Sequence, residues 1–302
     1  MKDIRVVFMG TPIFAETILE GLIKNYNVVL VVSQADKEKD RKGNLLYTPV
    51  KRLAIENDRP CYQPDNIRNE YEKILEYKPD IIVTCAYGQI ISQEILDIPK
   101  YGVINVHASL LPKYRGSAPI QWAILNGEKE TGITIMQTAL GVDSGDIILQ
   151  EKIAIKENET AGELFDDLAK MAPSVLMKAI DLIESGKATF TKQDESKATH
   201  FPMLKKEDGH INWTENGQSI INKIYGLNPW PSAFSTLDGK IFKIYKAHFE
   251  EGAPAEVGVI KDCKVACKDG YIVLEEVQIE GKKRMGVSEF LRGCSLNGQV
   301  LN

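Results

Sequence analysis

Residues 4–9 form an apolar run interrupted only by Arg5 and closed by Gly10-Thr11-Pro12, after which Phe14, Ile18, Leu19 and Leu22 recur at helical spacing. A second apolar run follows at 28–32. This strand–helix–strand opening implies a parallel sheet with a right-handed crossover. Further strands are predicted at 80–85, 103–107 and 131–136. Residues 160–185 carry Leu164, Leu168, Met171, Val175, Leu176, Ala179, Ile180 and Ile183 in near-helical register, with Pro173 predicting a kink or break inside that helix. After Gly186 a polar, lysine-bearing stretch to Lys206 has few apolar residues to bury and reads as a linker draped over the surface. Beyond it, short apolar segments at 233–237, 240–248, 257–260, 264–266 and 271–277 are separated by glycine turns, a spacing that predicts a small β-barrel. The pattern thus divides the chain into an α/β domain over 1–186, a Rossmann-like doubly wound parallel sheet, a linker over 187–206, and a C-terminal β domain over 207–302.

Composition adds bounds rather than identity. A length of 302 residues fits two domains, and 43% hydrophobic with 26% charged residues is ordinary for a soluble globular protein. No apolar run approaches a membrane span and the N-terminus enters a strand directly, so neither membrane insertion nor a signal peptide is expected. The five cysteines (Cys61, Cys85, Cys263, Cys267, Cys294) are odd in number and scattered, which favours reduced thiols in the cytoplasm. Cys263 and Cys267 share one face of a strand but have no second ligand pair, so no metal is expected. The net charge of −5 does not advertise a nucleic-acid binder, and residues 203–302 balance 13 basic against 13 acidic side chains. Any RNA contact must therefore rest on local basic clusters, such as Lys37, Lys39, Arg41 and Lys42 in the polar loop 36–48, or Lys282-Lys283-Arg284.

The chemistry concentrates between residues 103 and 145. Strand alternation points Asn105 and His107 to the same side where a buried strand gives way to a loop. In open α/β sheets that is where ligands bind. Downstream, Gly141-Val142-Asp143-Ser144-Gly145-Asp146 forms a glycine-flanked loop able to return a carboxylate to the histidine. An amide can hold a developing oxyanion, an imidazole can polarise a carbonyl, and an Asp–His pair can handle an amine proton. Asn, His and Asp together suit acyl transfer to an amine. Asp146 competes for the role but immediately precedes the apolar strand 147–149, where it reads as a turn cap. His200, His210 and His248 lie in or after the linker without such company. The Gly10 turn lacks Gly-x-Gly-x-x-Gly, which argues against a dinucleotide-dependent dehydrogenase.

Asn105-Val106-His107 with Ser109-Leu110-Leu111-Pro112, followed by the Asp143 loop, resembles the folate-dependent formyltransferases. Phe8-Met9-Gly10-Thr11-Pro12, Ala86-Tyr87-Gly88, Arg115-Gly116-Ser117-Ala118-Pro119, Thr131-Gly132-Ile133-Thr134 and Asn228-Pro229-Trp230-Pro231 extend the likeness over nearly the whole chain and point to the tRNA-dependent members. The resemblance implies an OB-like C-terminal barrel that helps bind tRNA. It implies formyl transfer from 10-formyltetrahydrofolate to the amino group of methionyl initiator tRNA, without metal, in a cytoplasmic protein expected to be a monomer. Asp143 matches the family's catalytic aspartate, beside Asn105 and His107. The folate would contact Ser109, Leu110, Leu111 and Pro112, with backbone groups of Tyr87, Gly88, Gln89 and Ile90 at the pterin. Basic loop 36–48 would meet the tRNA acceptor arm through Arg41 and Lys42, although Arg41 stands between Asp40 and Lys42 rather than between glycines. Lys282, Lys283 and Arg284 would be a second phosphate-contact cluster beside such a barrel. The alternatives are a formyltransferase acting on an amino sugar nucleotide or on glycinamide ribonucleotide, and a noncatalytic RNA-binding protein.

Overall fold

The computed structural model describes every residue except 1, 38, 40–42, 44, 255, 294 and 295, so the tRNA contacts expected of Arg41 and Lys42 lie outside the described residues. Its two compact units are interleaved along the chain. The first comprises 1–116, 132–153 and 165–200, and the second 117–131, 154–164 and 201–302.

In the first unit the chain runs β1 (Lys2–Gly10), α1 (Ile13–Asn25), β2 (Tyr26–Val32), α2 (Pro49–Glu56), β3 (Cys61–Tyr62), α3 (Glu72–Glu76), β4 (Ile81–Cys85), α4 (Gln93–Leu96), β5 (Val103–His107) and β6 (Arg115–Gly116). It leaves for α5 (Pro119–Leu125) and returns through β7 (Glu130–Gln137), β8 (Ile147–Ala154) and α6 (Ala161–Glu184). The sheet order is β3-β2-β1-β4-β5-β7-β8. The first five strands are parallel, as the strand–helix–strand opening predicts. β7 runs antiparallel to β5. A parallel return needs a crossover element lying over the sheet. Here the intervening residues 117–131 belong to the second unit, and the chain comes back in the opposite sense.

One face of the sheet packs Val7, Met9, Leu30, Val32, Ile82 and Val103 against Ile67, Ile74, Ile91 and Ile95. α1 buries Phe14, Ala15, Ile18, Leu19, Leu22 and Ile23. Each large side chain so buried contributes about 1.5–3 kcal/mol. α6 lies beside α1, with Phe14 and Phe165 edge to face at 5.4 Å and the Tyr26 hydroxyl donating to Asp181 at 2.9 Å. The expected break at Pro173 does not occur, since α6 is continuous through it. Gly21 of α1 supplies the reason: a Cβ there would sit 2.8 Å from Pro173 Cβ, so the missing side chain is the space the proline ring occupies.

The second unit holds β9 (His200–Phe201, its first residue lying in the other unit), α7 (Gly217–Gly226), β10 (Ala233–Leu237), β11 (Lys240–Glu251), β12 (Ile260–Lys261), β13 (Lys264–Cys267), β14 (Gly270–Ile279), β15 (Met285–Gly286) and α8 (Val287–Phe290). The sheet is antiparallel in the order β10-β11-β14-β13-β12, with β15 on β14. The expected barrel is not a closed ladder, because edge strands β10 and β12 do not pair with each other. The C-terminal residues reach both edges. Thr236 and Asn302 exchange backbone hydrogen bonds of 2.8 and 3.2 Å, and Leu301 N–H donates to Gly258 at 2.9 Å. Phe242, Ile244, Ala247, Ile272, Leu274 and Val277 form the inward side of the sheet. No described helix is long and apolar enough to cross a membrane.

Valine at position 21 replaces the helix-packing gap with three carbons against a ring that cannot rotate away. Gly21→Val is expected to lower unfolding stability by about 1–3 kcal/mol. Its better helix propensity offsets only a few tenths of a kcal/mol. Urea denaturation would show an unchanged or raised midpoint if the α1–α6 approach were loose.

Candidate active site

β4 and β5 pair so that Thr84 stands beside Asn105. The buried Thr84 hydroxyl donates to Asn105 Oδ1 at 2.8 Å. That contact orients the carboxamide with its Nδ2 hydrogens away from the strand partner, as donors. Two residues on, His107 is buried, and its Nε2 lies 2.8 Å from the carbonyl oxygen of Tyr114. A carbonyl only accepts, so the ring proton sits on Nε2 and Nδ1 is the position left for exchange. Nδ1 faces Asp143 Oδ2 at 3.7 Å. The separation is too long for a hydrogen bond but close enough for the carboxylate to meet an imidazolium.

Asp143 has φ +49°, in the left-handed region that Asp tolerates better than most residues. Its Oδ2 accepts from the Gly116 N–H at 2.7 Å. Asp146 serves the backbone instead, its carbonyl accepting from Gln137 N–H at 2.8 Å where β8 begins. Of the two competing aspartates, the fold brings Asp143 to His107. The glycine at 145 is required by close approach, since a Cβ there would lie 1.7 Å from the Gln137 carbonyl oxygen.

The turn after β5 is closed from several sides. Ser109 Oγ donates to the Lys113 carbonyl at 2.8 Å, Thr134 Oγ1 donates to the Ser109 carbonyl at 2.6 Å, and Gln150 Nε2 donates to the Leu111 carbonyl at 2.9 Å. Ser109 and Leu111 are buried, whereas Leu110 and Pro112 are half-buried. The Tyr87 side chain belongs to the hydrophobic core, and its carbonyl accepts from Gln34 Nε2 at 2.8 Å and Thr11 Oγ1 at 3.2 Å. Gln89 is a brace, its Oε1 accepting the Ile67 N–H at 2.9 Å. Gly88 and Ile90 are exposed and Gln89 is half-buried. Among the described residues, the backbone N–H groups of these three donate to no other backbone group.

Arg115, which the sequence offers only within the family likeness, and Gln193 and Glu195, which carried no signal there, complete the network. Arg115, 2% exposed, donates from Nε and Nη2 to Gln193 Oε1 at 3.0 and 2.8 Å and from Nη1 and Nη2 to Glu195 at 2.9 and 2.7 Å. Hydrogen bonding from Arg115 holds the Glu195 carboxyl below its ordinary range. The segment expected as a surface linker therefore delivers a buried side chain, Gln193, to this network. In the second unit Lys282 and Lys283 are exposed. Arg284 is already engaged: it pairs with both Glu276 oxygens at 2.7 Å and lies over the Tyr245 ring at 4.2 Å. His248 pairs with Glu275 at 2.8 Å, well apart in sequence from these groups.

An amide donor, an imidazole and a carboxylate gathered at the C-terminal end of β5 in an α/β sheet are groups suited to acyl transfer. The chain belongs to the formyl transferase family: that family's profile matches residues 4–180, and the profile of the formyl transferase C-terminal domain matches 203–295. It is 44% identical over 301 residues to the methionyl-tRNA formyltransferase of Clostridium novyi, covering 97% of each chain. With that of Agathobacter rectalis it shares 46% identity over 299 residues, covering 96% of each. The fold is also that of an N-formyltransferase from Helicobacter canadensis solved with folinic acid and dTDP-3-aminofucose, with a TM-score of 0.69, 22% identity and coverage of 93% and 100%. For the methionyl-tRNA formyltransferase of Clostridium thermocellum the TM-score is 0.58, with 19% identity and coverage of 91% and 98%.

Because the Glu195 carboxyl is held low in the folded protein, its contribution to stability is present above the unfolded carboxyl's titration. It is lost as the pH falls through the folded one. Glu195→Gln is therefore expected to be less stable than the parent near neutrality, with the gap narrowing on acidification. Denaturation midpoints across a pH series test this, and a gap that stays constant with pH would assign the loss to something other than the Arg115 pair.

Proposed function

We propose that this chain transfers the formyl group of 10-formyltetrahydrofolate to the α-amino group of methionine esterified to initiator tRNA, as a cytoplasmic step of translation initiation. The carrying observation is the 44–46% identity to methionyl-tRNA formyltransferases over 96–97% of the chain. Its local support is the convergence of Asn105, His107 and Asp143. The folate carries the formyl group as an activated amide. Asn105 Nδ2 donates to the formyl oxygen as negative charge develops there. With its Nε2 proton committed to Tyr114, His107 donates to the same oxygen only as the imidazolium, through Nδ1, and Asp143 stabilises that form at 3.7 Å. Asp143 also receives the proton that the attacking amine must lose; the bond from the formyl carbon to the folate nitrogen then breaks, and that nitrogen takes up a proton and leaves as tetrahydrofolate.

The unpartnered N–H groups of Gly88, Gln89 and Ile90 suit the acceptor-bearing edge of a pterin, and Leu110, Leu111 and Pro112 offer its apolar surround. Ser109 acts within the turn rather than on the ligand. Methionyl-tRNA engages the second unit, which we take as OB-like because the C-terminal residues bridge the two sheet edges. Lys282 and Lys283 are its exposed phosphate contacts, and Arg41 and Lys42, which lie outside the described residues, are the acceptor-arm contacts the family resemblance implies. The protein acts as a monomer, and no step needs a metal.

Incubation with 10-formyltetrahydrofolate and methionyl initiator tRNA, with amino sugar nucleotides and glycinamide ribonucleotide as rival acceptors, tests the assignment. Formylated methionyl-tRNA is expected, and formylation of only a small amine would overturn it. Asn105→Ala should slow single-turnover formyl transfer by on the order of 10²-fold, the usual loss for one oxyanion donor. Thr84→Val, which removes only the hydroxyl that orients the amide, should slow the same step with little change in KM for either substrate. Unchanged chemistry in Thr84→Val would mean the strand alone orients Asn105.

A further inference from the structure

The loop that carries Asp143 has almost nothing apolar to hold it. Leu140 and Val142 are 61% and 62% exposed, so burial does not fix their position. Among the described residues its polar anchors are the Gly116 N–H on the carboxylate, the Gln137 N–H on the Asp146 carbonyl, and one side chain from outside the loop, Gln193. Gln193 Nε2 donates to the carbonyl oxygens of Asp143 and Gly145, each at 2.8 Å, which uses both of its hydrogens. Gln193 Oε1 accepts from Nε and Nη2 of Arg115, which uses both lone pairs. The group is buried at 9% exposure and fully satisfied. The backbone behind it is held as well, since Thr191 and Ile147 exchange hydrogen bonds of 2.8 and 2.9 Å two residues earlier.

From this we infer that Gln193 is a positioning residue for the transfer reaction: it suspends the Asp143 loop from the buried Arg115 guanidinium and thereby sets where the Asp143 carboxylate stands relative to His107. The inference rests on Asp143 having the role assigned above. The chemistry of the site selects glutamine at this point. Two carbonyl oxygens on one side require donors, and a guanidinium on the other requires an acceptor. Among side chains of this length only a carboxamide offers both. Asparagine is a methylene shorter and cannot span the two, while glutamate satisfies Arg115 but opposes the loop. Arg115 reaches Asp143 by a second route too, because Gly116, next in the chain, provides the N–H to the carboxylate. Both anchors of Asp143 itself thus originate in the two residues of β6.

Gln193→Glu separates positioning from stability. It retains the acceptor for Arg115, so the buried cation keeps its partners, while the two lost hydrogen bonds lower the thermal midpoint without unfolding the protein under assay conditions. It removes both donors and sets a negative oxygen against two carbonyls, so the loop should be released. The expected result is a single-turnover rate per folded molecule at least about tenfold lower, in line with the sensitivity of such chemistry to displacements near 1 Å. KM for 10-formyltetrahydrofolate and for methionyl-tRNA should be nearly unchanged. Circular dichroism under assay conditions supplies the folded fraction, so a variant of reduced stability still gives a usable rate. Asp143→Asn is measured alongside. If it is inactive while Gln193→Glu turns over like the parent, the positioning role fails and the Asp143 assignment stands. If Asp143→Asn retains parental chemistry, that assignment fails and the role of Gln193 falls with it. A Gln193→Glu loss confined to KM, or explained entirely by the unfolded fraction, also overturns the proposal.

Discussion

The carbonyl oxygen of Tyr114 is the constraint on which the site depends. Because it can only accept, it commits the buried His107 ring to one tautomer and turns Nδ1 toward Asp143. Holding a carbonyl in that place requires the chain to reverse sharply after β5. Tyr114 itself has φ +61°, and its N–H donates to Thr199 Oγ1 at 2.8 Å. The hydrogen bonds of Ser109, Thr134 and Gln150 close the remainder of the turn. These polar side chains are needed because the turn is buried, and an unpaired buried carbonyl or N–H costs about 1–3 kcal/mol. The same need for satisfied groups explains why a serine stands where an apolar turn would otherwise suffice.

A second constraint is the burial of Arg115. A guanidinium removed from water is tolerated only when its donors are met, and breaking such a set leaves an uncompensated charge. Gln193 and Glu195 meet four of its donor contacts. The neutral partner faces inward, toward the Asp143 loop, and the carboxylate lies outward with 68% of its side chain exposed. This division matters electrostatically. A neutral relay between Arg115 and the loop transmits position without placing a second anion beside Asp143. Buried networks of this kind are specific because every member is satisfied at once.

Much of this was legible in the chain, for identifiable reasons. Period-2 alternation alone placed Asn105 and His107 on one side of a strand end, and the glycine flanks of Asp143 marked a loop free to return. The parallel half of the sheet followed from the order of apolar runs. What was not legible depends on contacts between residues distant in sequence. Gln193 lies 50 residues from Asp143 and 78 from Arg115, inside a stretch without periodicity or apolar content. Thr84 is one hydroxyl in a buried strand, and nothing local marks its bond to Asn105. Pro173 reads as a helix breaker until Gly21 of another helix is seen to make room for it. The antiparallel return of β7 is hidden for a related reason, since the residues before it belong to the other compact unit. Glycine-separated strands in 233–277 correctly indicated a β unit, but not that its edges would be reached by the last residues of the chain rather than by each other.

The groups gathered around His107 bear on any primary amine alike. An oxyanion donor, an imidazole and a proton acceptor contain nothing that distinguishes an aminoacyl ester from an amino sugar. Consistently, the fold is shared with an N-formyltransferase whose crystals contained a dTDP-linked amino sugar. Fold and reaction chemistry therefore cannot by themselves name the acceptor, as is general for widely used folds. Selectivity has to come from residues that bind the remainder of the acceptor, away from the reacting atoms, where binding free energy can be applied to placing one amine correctly. That separation accounts for the division of polar resources in this chain. Around His107 the polar groups are buried or half-buried and held in place by neighbouring groups, whereas Lys282 and Lys283 lie exposed in the second unit. An exposed lysine pair adds little to stability and little to the chemical step. On the proposed reading it contributes where a polyanion must be held, because each phosphate it meets releases condensed counterions.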